Sequence, residues 1–224
     1  MILLKLAVFD FNGTIFPKET IPFLIKCWKK FNYSKYRLYK LYILLFPLII
    51  KYRYSFLTKM DREELKIKFM ERFATMFKGM SRSEIERYFL KVEKEARQYY
   101  NLKVLAALEE FKNGNYETVL LSGAFVELLE IVGSRLDFDK IIGSTILKSR
   151  KQGVNERSVL SGSRKLKVLK KNYKSKDVDW ENSHAFADSI DDLELLKEVG
   201  NPVAVKPDQK LLEYTENNEW DIIR

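Results

Sequence analysis

The chain opens on an almost unbroken apolar run, Leu3-Leu4-Lys5-Leu6-Ala7-Val8-Phe9, that stops abruptly on Asp10. A run without alternation predicts a parallel strand buried on both faces. The pattern recurs. Tyr116 to Leu121 is a second strand stopping at Ser122-Gly123, and Ile141 to Ile146 is a short third one. Ser183 to Ala187 ends on Asp188, and Pro202 to Val205 is a fifth. Helical spacing fills the intervals: Val126, Leu128, Leu129 and Val132, closing near Gly133; Leu166, Val168 and Leu169; then Leu193, Leu195 and Leu196, closing at Gly200. The polar stretch from Lys148 to Ser163 reads as a loop or hairpin. Strands alternating with helices predict an α/β fold, a Rossmann-like doubly wound parallel sheet.

Between the first and second strands the periodicity is helical throughout, from about Ile21 to Glu110. Pro47 is expected to break or kink its helix. Arg62 to Phe73 is amphipathic with Asp61 in position to cap it, and another helix follows Ser81 or Ser83. Asn113-Gly114-Asn115 marks the turn back into the alternating part. The expected organisation is a core of residues 1–16 and 100–224, with an all-helical segment, residues 17–99, inserted into it.

Length permits one good core with a small addition. The single cysteine, Cys27, excludes an internal disulfide framework and suits a reducing cytoplasm, its expected role being apolar packing. No signal peptide is expected, because the first apolar run carries Lys5 and ends on Asp10. The longest later apolar run, Leu41 to Ile50, is too short to cross a bilayer. Charge changes the picture more. Residues 20–60 contain no Asp or Glu but carry Lys26, Lys29, Lys30, Lys35, Arg37, Lys40, Lys51, Arg53 and Lys59, which equals the net charge of +9. The rest of the chain is balanced. Trp28, Phe31, Tyr33, Tyr36, Tyr39, Tyr42, Phe46, Tyr52, Tyr54 and Phe56 are interleaved with these cations. Such a segment is either a helical subdomain with aromatic core and solvated lysines, or a surface for a membrane, nucleic acid or anionic substrate.

Three predicted strands end in polar groups: Asp10, Ser122 and Asp188. In a parallel sheet those ends gather on one edge, beside the crevice where ligands bind. Paired acids with carbonyls and waters suit Mg²⁺. A hydroxyl and N–H groups at a helix start, Ser122 and Gly123, suit a phosphate. Asp10 could then attack phosphorus as a carboxylate nucleophile. Lys165, following Gly162 at a helix start, can offset the negative charge. Each group also has a plainer reading. Asp10 and Ser122 can cap local turns, and Asp191, Asp192 and Glu194 can be first-turn acids favoured by a helix dipole.

Taken together, the motifs resemble those of the haloacid dehalogenase superfamily, nearest to its phosphoserine-phosphatase-like branch. Asp10-Phe11-Asn12-Gly13-Thr14 resembles the first motif, Asp-x-Asp-Gly-Thr. Leu121-Ser122-Gly123 resembles the second, Gly162-Ser163-Arg164-Lys165 the third, and Asp188-Ser189-Ile190-Asp191-Asp192 the fourth. The resemblance covers essentially the whole chain, including a helical cap between the first two motifs. It implies a phosphatase with Asp10 as nucleophile and Mg²⁺ ligand, and Ser122, Gly123 and Lys165 holding phosphate. Asp188 would ligate Mg²⁺ with Asp192 supporting it, and Glu19 resembles a substrate-contacting glutamate.

Asn12 departs from the pattern. The family has an aspartate there that protonates the leaving oxygen and then activates water. Asparagine keeps the backbone carbonyl implied as a Mg²⁺ ligand but removes the acid/base group, which is worth roughly 10²–10⁴ in rate. The chain is then a slowed phosphatase, a non-hydrolytic phosphate-ester binder, or a substrate-trapping variant. The expected partner is a small phosphorylated metabolite, with peripheral contact between residues 20–60 and a membrane surface; nucleic acid is not expected. His184, the only histidine, falls inside a strand and is expected to be partly buried rather than a ligand.

Overall fold

The computed structural model describes residues 3–53, 62–145 and 159–224. The strands are β1 (Lys5–Phe9), β2 (Tyr116–Phe125), β3 (Lys140–Ser144), β4 (His184–Ala187), β5 (Asn201–Val205) and β6 (Asp221–Ile223). They form one sheet in the order β3-β2-β1-β4-β5-β6, with every pairing parallel. Strand order reverses between β1 and β4, which places the crevice beyond their carboxyl ends. The two faces of β1 go to different cores. Ala7 and Phe9 join the cluster under the helical part, while Leu6 and Val8 join the cluster on the opposite face. Burial on both sides is the reason the strand reads as a continuous apolar run.

After β1 the chain runs through α1 (Thr20–Lys30), α2 (Lys35–Arg53), α3 (Arg62–Ala74) and α4 (Arg82–Ala96) before α5 (Leu102–Asn113) leads into β2. Ser81 caps α4: its hydroxyl accepts from Glu84 N–H, while the Glu84 carboxylate accepts from Ser81 N–H. The helices share an aromatic core in which Trp28, Tyr33, Phe77 and Tyr88 contact one another. Where the chain leaves and re-enters the sheet layer, Asn101 N–H donates to Ile15 O at 2.9 Å. The remaining helices are α6 (Val126–Leu136), α7 (Ser163–Asn172), α8 (Leu193–Glu198) and α9 (Gln209–Asn217).

Several expectations need correction. Pro47 does not break its helix: it lies inside α2, which continues through it to Arg53. β2 does not stop at Ser122 but runs to Phe125, and α6 passes Gly133 to end at Leu136, with Asp137 in the left-handed conformation closing it. β6 adds a strand that the sequence pattern does not predict, because three residues, one exposed and two half-buried, carry too little periodicity to register. Asp61, Ile146 and most of the 148–163 stretch lie outside the described residues. Cys27 is buried and His184 half-buried, as expected. Burial pushes the Cys27 thiol up to about 11. His184 packs between Phe111 and Tyr116, and burial lowers its pKa.

Candidate active site

The end of β1 is fixed from both sides. Phe9 stacks on Phe186 with ring centroids 4.4 Å apart, and Asp10 N–H donates to Phe186 O at 3.0 Å. The chain then reverses tightly, with Gly13 N–H donating to Phe16 O at 2.7 Å and Phe16 N–H to Phe11 O at 2.8 Å. Gly13 is required twice over. Its φ is +76°, and a Cβ there would lie 1.9 Å from Asp188 Oδ2. The Asn12-Gly13 backbone thus presses directly on the carboxylate at the end of β4.

Lys165, in the first turn of α7, is buried and reaches across this crevice. Its Nζ lies 2.9 Å from Asp10 Oδ1 and 2.7 Å from Asp192 Oδ2. Burial alone would lower its pKa, but Asp10 and Asp192 together hold it above the ordinary lysine value. Burial pushes the Asp188 carboxyl up to about 8, with the charges of Asp10 and Asp192 adding to the shift. Burial likewise raises Asp192, to about 6, against the opposing pull of Lys165. Three carboxylates therefore crowd around one ammonium group, and the cluster is short of positive charge.

That deficit is the test of whether Mg²⁺ fits. Asp192 Oδ1 is buried without a hydrogen-bond partner, and Asp188 faces the Gly13 backbone across the crevice. Among the described residues, no three acidic, histidine or cysteine side chains converge closely enough to hold a metal by themselves. The donors must then include a backbone carbonyl and water, which is the mixed shell Mg²⁺ accepts. The residues present fit that ion: Asp10 and Asp188 by carboxylate, Asn12 by carbonyl, Asp192 from behind.

The predicted phosphate residues divide. Gly123 lines the cavity above Asp10, whereas Ser122 is fully buried and does not; its hydroxyl accepts from Ala124 N–H at 3.4 Å. A Cβ on Gly123 would meet Leu160 O at 2.5 Å, so strand β2 and the segment before α7 touch there. Ser144 ties the two together, donating to Gly123 O at 2.9 Å and accepting from Leu160 N–H at 2.8 Å. The Asn12 side chain lines the cavity, and its Oδ1 accepts from the Thr20 hydroxyl. Glu19 is exposed at the cavity mouth.

Sequence reasoning missed three contributors. Lys66 of α3 lines the cavity and forms an ion pair with Asp191 at 3.0 Å, linking the helical part to the loop after β4. Ser144 sits on a strand whose pattern shows only burial. Asp208 Oδ2 accepts from Ser189 Oγ and Ile190 N–H, fixing the loop that carries Asp188 and Asp192. Only Asp208 left a trace in the sequence, as a helix-capping acid ahead of α9.

The cavity over this cluster measures about 840 Å³. Its floor is polar, with Asp10, Asn12, Lys165, Asp188 and Asp192. Its walls are apolar, from α1 (Ile21, Ile25), α2 (Leu45, Phe46) and α3 (Leu65, Phe69).

A family model described as haloacid dehalogenase-like hydrolase matches residues 7–197. Comparison with curated proteins returns no match. Solved structures share the fold at low identity. A protein of unknown function from Bordetella pertussis Tohama I superposes with a TM-score of 0.78 at 13% identity, covering 100% of this chain and 99% of that one. A substrate-bound phosphoserine phosphatase gives 0.61 at 18%, covering 100% and 94%. A phosphoserine phosphohydrolase-like protein from Francisella tularensis gives 0.58 at 16%, covering 99% and 95%.

Proposed function

The chain belongs to the haloacid dehalogenase-like hydrolases, and we propose that within them it is a Mg²⁺-dependent phosphomonoester hydrolase acting through an aspartyl-phosphate on Asp10. The observation that carries this reading is Lys165 Nζ held between Asp10 Oδ1 and Asp192 Oδ2 at the floor of the cavity. Phosphoserine phosphatases among the structural neighbours support it.

In this reading the Asp10 carboxylate attacks phosphorus, the P–O bond to the leaving alcohol breaks, and water later cleaves the acyl phosphate to restore Asp10. Lys165 offsets charge on Asp10 and the incoming phosphate, and Gly123, which lines the cavity, would offer its N–H to a phosphate oxygen. Mg²⁺, held by Asp10, Asp188 and the Asn12 carbonyl with Asp192 behind them, would supply electrostatic stabilisation of the transferring phosphoryl group. Residues 17–99 act as a cap that selects the substrate, with Glu19 at the mouth, over a catalytic core of residues 1–16 and 100–224.

Asn12 slows both half-reactions, because an amide can neither protonate the leaving oxygen nor deprotonate water. The same residue favours a second reading, a phosphate-ester binder that does not turn over. Turnover of an activated aryl phosphate with Mg²⁺, measured for the native chain, Asn12→Asp and Asp10→Asn, separates the two. Activity that rises with Asn12→Asp and vanishes with Asp10→Asn supports the hydrolase; inactivity of all three forms removes it.

A further inference from the structure

α2 has apolar side chains on both sides. Leu38, Leu41, Leu45 and Leu48 are buried against the other helices, which completes an ordinary amphipathic face. The opposite side should then be polar. Instead Tyr39, Ile43, Phe46 and Ile50 are 65%, 73%, 64% and 43% exposed, at an i, i+4, i+7, i+11 spacing that aligns them in one stripe. A stripe of this kind on a water-facing helix marks a contact surface. Its charge surroundings narrow the partner: Lys35, Lys40 and Arg53 are exposed along the same helix, and residues 20–60 contain no acid. Basic side chains flanking an aromatic and aliphatic stripe match the interface of an anionic bilayer. Among the described residues no helix is long and apolar enough to cross a membrane, so the contact is peripheral.

The stripe does not end at the surface. Beside it, Tyr42, Phe46 and Ile49 are both exposed on α2 and part of the cavity wall, which they share with Leu65 and Phe69 of α3 and Ile25 of α1. One continuous apolar path therefore leads from the outer face of α2 to the polar floor at Asp10 and Lys165. A small hydrophilic ester such as an amino-acid phosphate would leave those walls wetted, and a long apolar group would cover them.

Building on the reading of Asp10 as a phosphomonoester site, we propose that the substrate is a lipid phosphomonoester. Its phosphate meets Lys165 and Gly123, its tail lies along the α1–α2–α3 wall, and the outer stripe of α2 rests on the anionic bilayer that supplies it.

The test has two arms. In the first, binding of butyl, hexyl, octyl and decyl phosphate to the native chain with Mg²⁺ is measured by calorimetry below each micelle concentration. Burial of the tail predicts that Kd falls roughly two- to fourfold per added methylene, and that Phe46→Ser with Ile49→Ser flattens this slope. In the second, sedimentation with phosphatidylcholine vesicles is compared with and without phosphatidylglycerol, a diester the site cannot hydrolyse. Binding should require the anionic lipid, weaken with salt, and drop with Tyr39→Glu and Ile43→Glu. A Kd independent of chain length, or no binding to anionic vesicles, overturns the proposal. If the aryl phosphate is still turned over, the phosphatase reading survives that failure; if no phosphate ester binds or reacts, both fall.

Discussion

Lys165 Nζ donates to Asp10 Oδ1 at 2.9 Å across 155 residues of sequence. The contact joins the first turn of α7 to the end of β1 and sets the charge balance of the whole site. The same ammonium group also holds Asp192, so one buried cation answers for two carboxylates, with a third, Asp188, facing them. Removing it by Lys165→Met leaves the two carboxylates buried without a counter-ion. Loss of one partner from such a cluster costs roughly 3–5 kcal/mol. Urea denaturation should show that loss at pH 8 and a smaller one at pH 5, where Asp192, whose pKa is about 6, takes up a proton instead.

Mg²⁺ affinity should depend on pH in a direction fixed by Asp188. Its pKa of about 8 means that a proton is bound over the neutral range, and a cation must displace it. Affinity measured by calorimetry should therefore tighten between pH 6 and pH 8, with protons released on binding. An affinity that stayed flat over that range would show that the raised carboxyl is not a ligand.

Gly13→Ala tests the geometry without changing the charge of any residue. A Cβ at a φ of +76° is strained, and it would lie 1.9 Å from Asp188 Oδ2. The variant should lose the thermal stabilisation that Mg²⁺ gives the native chain and lose turnover with it. A variant that kept both would show that Asp188 is not held against this backbone.

The parallel sheet, the strand ends at Asp10 and Asp188, and the pairing of Lys165 with Asp10 were legible in the sequence. An apolar run that stops on an acid fits a strand buried on two faces, and the matching ends at Ser122 and Asp188 favoured a crevice over a local turn cap. The extent of β2 was not legible. Its last residues, Ser122 to Phe125, include a glycine and a serine that read as a turn, yet Phe125 pairs with Ser144 of β3 across a register shift. Lys66 and Ser144 were invisible for a different reason: their roles come from tertiary contacts, to Asp191 and Leu160, that no local pattern encodes. The aromatic, basic segment was legible only as a choice. Trp28 and Tyr33 of that segment went into the core, while Tyr39 and Phe46 stayed outside, and burial alone decides between those fates.

Asn12→Asp should restore the acid/base group in place. The Thr20 hydroxyl, which now donates to Asn12 Oδ1, would donate equally well to a carboxylate oxygen, leaving the second oxygen free to exchange protons. Steady-state turnover of an aryl phosphate should rise by roughly 10²–10⁴.

The most direct test of Asp10 as nucleophile uses the native chain, in which Asn12 should make hydrolysis of the acyl phosphate slower than its formation from a good leaving group. Rapid mixing with p-nitrophenyl phosphate and Mg²⁺ should give a burst of nitrophenolate approaching one equivalent per chain, with one phosphoryl group on the peptide bearing Asp10. Asp10→Asn should abolish both. A burst of equal size from Asp10→Asn, or a phosphoryl group recovered on any other residue, would contradict the assignment of Asp10 as nucleophile.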